Sequence, residues 1–169
     1  GKCSLTAAIP ILAALGVQAC PLPTAALSNQ TGFASYTGQD LTGQLEGFAQ
    51  AWRQLDVRLD GIYTGFLCNN RQIDFVSGFV REFAVPGSLV LIDPVLADNG
   101  RYYALFDHST CQAMVRLIRQ ATVITPNLTE ACFLTGRTAE DYTALAARPD
   151  PGVIVEMARA LSRTGPSTV

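Results

Sequence analysis

The stretch Ser88-Leu-Val-Leu-Ile-Asp-Pro-Val-Leu-Ala-Asp98 decides the fold when it is set beside Ala121-Thr-Val-Ile-Thr-Pro-Asn-Leu-Thr-Glu130. In each, an apolar run rich in β-branched residues passes directly into a polar, proline-marked segment, so each reads as a buried strand that ends at carboxylates and amide oxygens. In open α/β sheets ligands bind outside the carboxyl ends of the strands. Asp93, Asp98, Asn127 and Glu130 therefore stand where a sheet delivers its ligands, and convergent carboxylates there suit a hard cation such as Mg²⁺ held through waters and phosphates.

Outward from these strands the chain alternates. Ser4 to Leu15 has helical spacing and stops at Gly16, and Val17 to Cys20 reads as a short strand ended by Pro21 and Pro23. Ser28 to Gly38 is a polar loop, after which Asp40 can cap a helix from Leu41 to about Leu55 with Leu41, Leu45, Phe48 and Trp52 on one stripe. Gly61 to Thr64 is a strand, Asn70 to Phe83 a helix with Ile73, Val76, Val80 and Phe83 inward, and Leu89 to Ile92 the next strand. Asp107 caps a helix through Gln120, Val123 lies in a strand, Asn127 starts a further helix, and Pro151 opens one that ends near Arg163. Ser167 to Val169 reads as a strand cut off as it begins. This order predicts right-handed crossovers and a three-layer α/β/α fold with a mainly parallel sheet. Residues 1–169 read as a single domain whose two ends both look truncated.

Composition narrows the function classes. With 169 residues, 49% of them hydrophobic, there is material for one sizeable core. The net charge of −2 and the scattered Lys and Arg residues leave no electrostatic footprint for nucleic acid. The longest apolar stretch, Ala7 to Val17, contains Pro10 and Gly16 and is too short to span a bilayer, which predicts a protein with no membrane partner. Five cysteines without a C-x-x-C pair predict a reducing, cytoplasmic setting, with Cys20, Cys111 and Cys132 in the core and Cys3 and Cys68 in loops.

Three motifs admit plain readings beside functional ones. Gly1-Lys2-Cys3-Ser4 invites comparison with the end of a phosphate-binding P-loop, but cysteine stands where a hydroxyl is needed, so a glycine that lets a helix start lie close to a ligand is the simpler reading. Asn127-Leu-Thr-Glu130 also fits a capping box, and Asp98-Asn99-Gly100 is a turn signal. His108, the lone histidine, is assigned to solvent or a cap. Phe48, Trp52, Phe79 and Phe83 read as core, whereas Phe66, just past a strand, is placed to stack on a flat heterocycle.

Taken in order, Gly1-Lys-Cys-Ser-Leu-Thr6, Pro21-Leu-Pro-Thr24, Leu27-Ser-Asn-Gln-Thr-Gly32, Tyr63-Thr-Gly-Phe66, Asp93-Pro-Val-Leu-Ala-Asp-Asn-Gly100 and Ile124-Thr-Pro-Asn-Leu-Thr-Glu-Ala131 resemble the signatures of the vitamin B6 kinases, the pyridoxal or pyridoxamine kinases of the ribokinase-like superfamily. The resemblance implies transfer of the ATP γ-phosphate to the 5′-hydroxymethyl group of pyridoxal, pyridoxine or pyridoxamine, with Mg²⁺, often a monovalent cation, and a homodimer. It places Asp93, Asp98, Thr125, Asn127 and Glu130 on the nucleotide side, with Asp93 and Glu130 toward the metal, and Ser28, Thr31 and Phe66 on the pyridine side. Gln30 departs from the histidine of many relatives, and Ala97 from the usual glycine. By the same resemblance the first strand precedes Gly1, and the glycine-rich anion hole with the catalytic aspartate lies beyond Val169. The chain then holds no catalytic base and is expected to be inactive alone. A hydroxymethylpyrimidine kinase, or a fragment that only binds ligand, are the rival readings.

Overall fold

The computed structural model describes residues 4–29, 31, 33 and 35–169. The chain divides into two compact units, Gly1–Asp56 and Val57–Val169.

In the first unit, α1 (Leu5–Ala14) carries Pro10 in its interior and buries none of its residues. Gly16, at φ 77°, ends it as expected, and the Val17 amide donates to the Leu12 carbonyl at 2.9 Å. The strand expected at Val17 to Cys20 does not form. Those residues are irregular, Pro21 and Pro23 remove two donors from the following stretch, and Cys20 is exposed rather than in the core. An antiparallel hairpin of β1 (Ala25–Leu27) and β2 (Gly38–Asp40) follows instead, pairing Ala25 with Asp40 and Leu27 with Gly38. Asp40 accepts the Thr42 amide at 2.7 Å, yet it opens a 3₁₀ turn, Thr42–Gln44, so α2 (Leu45–Gln54) starts four residues later than its periodicity suggests. That shift buries Leu45 and Ala49 and leaves Phe48, expected in the core, 37% exposed.

The second unit is built on parallel strands. β3 (Leu59–Thr64) is followed by α3 (Asn70–Phe83), β4 (Ala84–Ile92), a small antiparallel hairpin of β5 (Ala97–Asp98) and β6 (Arg101–Tyr102), α4 (His108–Ile118) and β7 (Val123–Ile124). The main sheet runs β3-β4-β7, with Thr64 opposite Ile92 and Ile92 opposite Ile124. Thr168 adds a parallel bridge to Val123, so the last residues do begin a strand. Asn69 and Asp107 cap α3 and α4 by accepting the Gln72 and Thr110 amides, at 3.0 and 3.1 Å. The core forms where Ile73, Val76 and Val80 of α3 and Met114, Leu117 and Ile118 of α4 meet Val90, Ile92 and Ile124 of the sheet. Phe79 stacks on Phe83 with centroids 4.4 Å apart.

After β7 the chain makes three helices. α5 (Leu128–Leu134) is short because Gly136, at φ 78°, turns the chain back, and Thr138 with Asp141 forms a second capping box that opens α6 (Ala139–Ala147). α6 was not among the expected elements. α7 (Pro151–Ser162) starts on its proline and is capped by Asp150. The result is a mixed α/β fold with a parallel sheet, and among the described residues no helix is long and apolar enough to cross a membrane.

Candidate active site

Strand pairing puts Asp93 and Thr125 side by side. The Asp93 amide continues the ladder by donating to the Thr64 carbonyl at 3.2 Å, and the Thr125 amide donates to the Ile92 carbonyl at 3.3 Å. The Thr125 hydroxyl then donates to Asp93 Oδ1 at 3.4 Å. Asp93 is half-buried, and burial pushes its carboxyl up against the pull of that hydroxyl. At the end of β3 the Thr64 hydroxyl is buried without a hydrogen-bond partner, so this edge still has a polar group to satisfy.

Asn127 and Glu130 form the capping box that the sequence allowed. The Glu130 amide donates to Asn127 Oδ1 at 3.0 Å and the Asn127 amide to Glu130 Oε2 at 2.9 Å. Glu130 does more than cap. Its other oxygen, Oε1, accepts the Leu96 amide at 3.0 Å, and Asn127 Nδ2 donates to the Ala97 carbonyl at 2.9 Å. Glu130 is 3% exposed. Burial raises its carboxyl, the amides of Leu96, Asn127 and Ala97 pull it back, and the charge of Asp93 adds to the rise.

Asp98 ends β5 and is exposed, accepting the Asn99 amide at 2.8 Å in a turn whose Asn99 and Gly100 both have positive φ, 50° and 74°. Partial burial raises the Tyr103 phenol, followed by the charges of Asp98, Glu130 and Asp93. The three acidic groups therefore share one field, at one end of the sheet.

Among the described residues no cluster of three or more His, Cys, Asp or Glu side chains forms a metal cage. Both Glu130 oxygens already hold backbone amides, whereas Asp93 Oδ2 takes no described protein donor. This donor set fits Mg²⁺ held mainly by water and by the phosphates of a ligand, with Asp93 as the nearby carboxylate.

The residues expected on the pyridine side lie in both units. Phe66 follows β3, half-buried, with its ring 5.7 Å from that of Phe106. Ser28 follows β1, where its hydroxyl accepts the Thr37 amide at 2.9 Å and braces the loop that also carries the half-buried Thr31. Gln30 and the segment Gly1-Lys2-Cys3 lie outside the described residues. His108 is exposed, as expected.

A family model described as phosphomethylpyrimidine kinase matches residues 5–161. The chain belongs to this family. Among solved structures, this family member is 44% identical to a Bacteroides thetaiotaomicron protein assigned to the phosphomethylpyrimidine kinases and crystallised with pyridoxal, with a TM-score of 0.90 over 98% of the chain and 56% of that protein. It is 31% identical to a pyridoxal kinase of Deinococcus radiodurans over 87% of the chain and 51% of that enzyme. It is 33% identical to a hydroxymethylpyrimidine/phosphomethylpyrimidine kinase of Bacillus subtilis over 63% of the chain and 37% of that enzyme. The family member is thus pyridoxal kinase-like and ribokinase-like in fold, and it spans about half the length of the Deinococcus relative it matches. Two polar residues of this edge were not singled out from sequence, Thr64 and Thr129. Thr129 lies between Asn127 and Glu130, so the helix-start motif carried a signal for it, whereas nothing in the sequence marks the Thr64 hydroxyl as unpartnered.

Proposed function

We propose that the chain contributes the nucleotide-phosphate edge and part of the vitamer pocket of a kinase that phosphorylates the 5′-hydroxymethyl group of a B6 vitamer with ATP. The observation that carries this reading is the 44% identity to a protein crystallised with pyridoxal. Asp93 and Asp98 face the phosphates, Thr125 orients Asp93 through its hydroxyl, and Asn127 and Glu130 hold the loop between them in place. Mg²⁺, when bound, neutralises charge that develops on the transferring phosphoryl group. Phe66 offers a ring face to the pyridine, and Ser28 and Thr31 offer hydroxyls to its substituents. In this proposal the base that takes the substrate proton comes from outside residues 1–169, and the complete enzyme is a cytoplasmic homodimer.

The Bacillus subtilis relative supports a second reading, phosphorylation of hydroxymethylpyrimidine on the same architecture. Titrating the chain with pyridoxal and with hydroxymethylpyrimidine, each with and without Mg-ATP, tests the choice. Pyridoxal binding tighter than that of the pyrimidine supports the B6 reading. The reverse order replaces it with the second, and binding of neither overturns both.

A further inference from the structure

We propose that Thr129 is a positioning residue that pins the Asp98 turn to the start of α5, holding Asp98 at the height it needs to meet nucleotide phosphate. The proposal rests on the nucleotide-side reading of Asp98. Asn99 and Gly100 form the two-residue loop of the β5–β6 hairpin, and positive φ at both matches the I′ turn that such loops favour. In that turn the strands are closed by the Asp98 and Arg101 pair, which leaves the Gly100 amide outside the ladder. Gly100 is nevertheless buried, so its amide has to find an acceptor or stay desolvated and unpaired. The acceptor is Thr129 Oγ1, at 3.1 Å, on a residue only 1% exposed.

Neighbouring contacts show why this bond acts on Asp98 and not merely on stability. The first turn of α5 grips the same segment at three heights, through Glu130 on the Leu96 amide, Asn127 on the Ala97 carbonyl and Thr129 on the Gly100 amide. The first two bonds precede Asp98 and the third follows it, so Thr129 supplies the hold of α5 on the residues just after the carboxylate. Tyr142 of α6 also lies against Gly100, and its ring would be 2.8 Å from an added Cβ. The turn is therefore held by a hydroxyl and confined by a ring.

The test compares Thr129→Val, which keeps the shape but removes the acceptor, with Thr129→Ser, which keeps the hydroxyl. Three quantities are measured on the full chain: hydrogen exchange at the Gly100 amide, affinity for Mg-ATP and affinity for pyridoxal. Thr129→Val should speed Gly100 exchange by at least about tenfold and weaken Mg-ATP binding by roughly fivefold, with pyridoxal affinity unchanged. Thr129→Ser should restore both affected quantities to within about twofold. Unchanged Gly100 exchange in Thr129→Val, accelerated exchange with wild-type Mg-ATP affinity, or failure of Thr129→Ser to rescue would each overturn the proposal. If the wild-type chain binds no Mg-ATP, the nucleotide reading fails, while the Gly100 exchange contrast still decides whether Thr129 holds the turn.

Discussion

Asp93 and Glu130 are both carboxylates at the sheet edge, yet their surroundings assign them different work. Asp93 keeps Oδ2 clear of described protein donors, while Glu130 gives each oxygen to a backbone amide. On the proposed function, Asp93→Asn is expected to fold normally and to lower the rate of phosphoryl transfer on the order of a hundredfold, with weaker dependence on Mg²⁺ concentration. Glu130→Gln puts a carboxamide NH₂, a donor, in place of one acceptor oxygen, so the Leu96 or the Asn127 amide loses its partner. Chemical denaturation should register a loss of about 1–3 kcal/mol. A normal melting temperature with a large loss of turnover would instead make Glu130 a participant at the metal. Because burial raises the Asp93 carboxyl, the folded chain keeps a proton there that the unfolded chain releases at about pH 4, and stability falls as pH rises from there through the raised folded value. Glu130, also raised by burial, adds a contribution of the same sign. Melting curves between pH 4 and neutrality should show a shallower decline for Asp93→Asn, and an unaltered slope would refute the assignment. Phe66→Ala should raise the Michaelis constant for the vitamer about tenfold and leave that for ATP in place, along with a lower melting temperature from the lost contact with Phe106.

At the scale of elements, what could be read from sequence was what local chemistry dictates. The caps at Asp107 and Asn127, the proline start at Pro151, and the inward stripe Ile73, Val76, Val80 and Phe83 are each set by residues a helical turn or less from the next. The β1–β2 hairpin escaped because its six residues include Gly38, Gln39 and Asp40, all exposed, which leave no alternation to detect. Val17 to Cys20 failed in the opposite way, since apolar character alone makes no strand without a partner ladder. At the site, Asp93, Asp98, Asn127 and Glu130 could be placed at a strand edge by sequence alone, but the grip of α5 on residues 96–100 could not, because it depends on a packing angle. The Tyr142 ring of α6, packed on the same turn, makes Gly100 intolerant of a side chain. Gly100→Ala combines a left-handed backbone with a Cβ 2.8 Å from the Tyr142 ring, and should cost about 1–3 kcal/mol in a denaturation experiment. A loss below half of the lower figure would mean that the turn can shift freely.

At the scale of the molecule, the boundary between the two compact units falls at Asp56, which has φ 50° and follows Leu55, 75% exposed. Brief digestion with a protease that cuts after leucine should nick there and leave a protected fragment beginning near Val57, identified by mass. Loss of the whole chain at one rate would show instead that the second unit does not persist without the first. The pairing of the main sheet has a consequence in time. Hydroxyls that bridge its neighbouring segments span long separations: Ser88 Oγ donates to the Leu59 carbonyl across 29 residues, Thr122 Oγ1 to the Val90 carbonyl across 32, and Ser167 Oγ to the Thr122 carbonyl across 45. No pair of sheet neighbours can zip from a tight turn, so each addition must first close a long loop and meet that entropic demand before any rung rewards it. Helices α3 and α4 can flicker into existence within about a microsecond, whereas the sheet that orders them should assemble in milliseconds to seconds. The edge that carries Asp93 and Thr125 is therefore expected to form late in folding, once β4 and β7 have found each other.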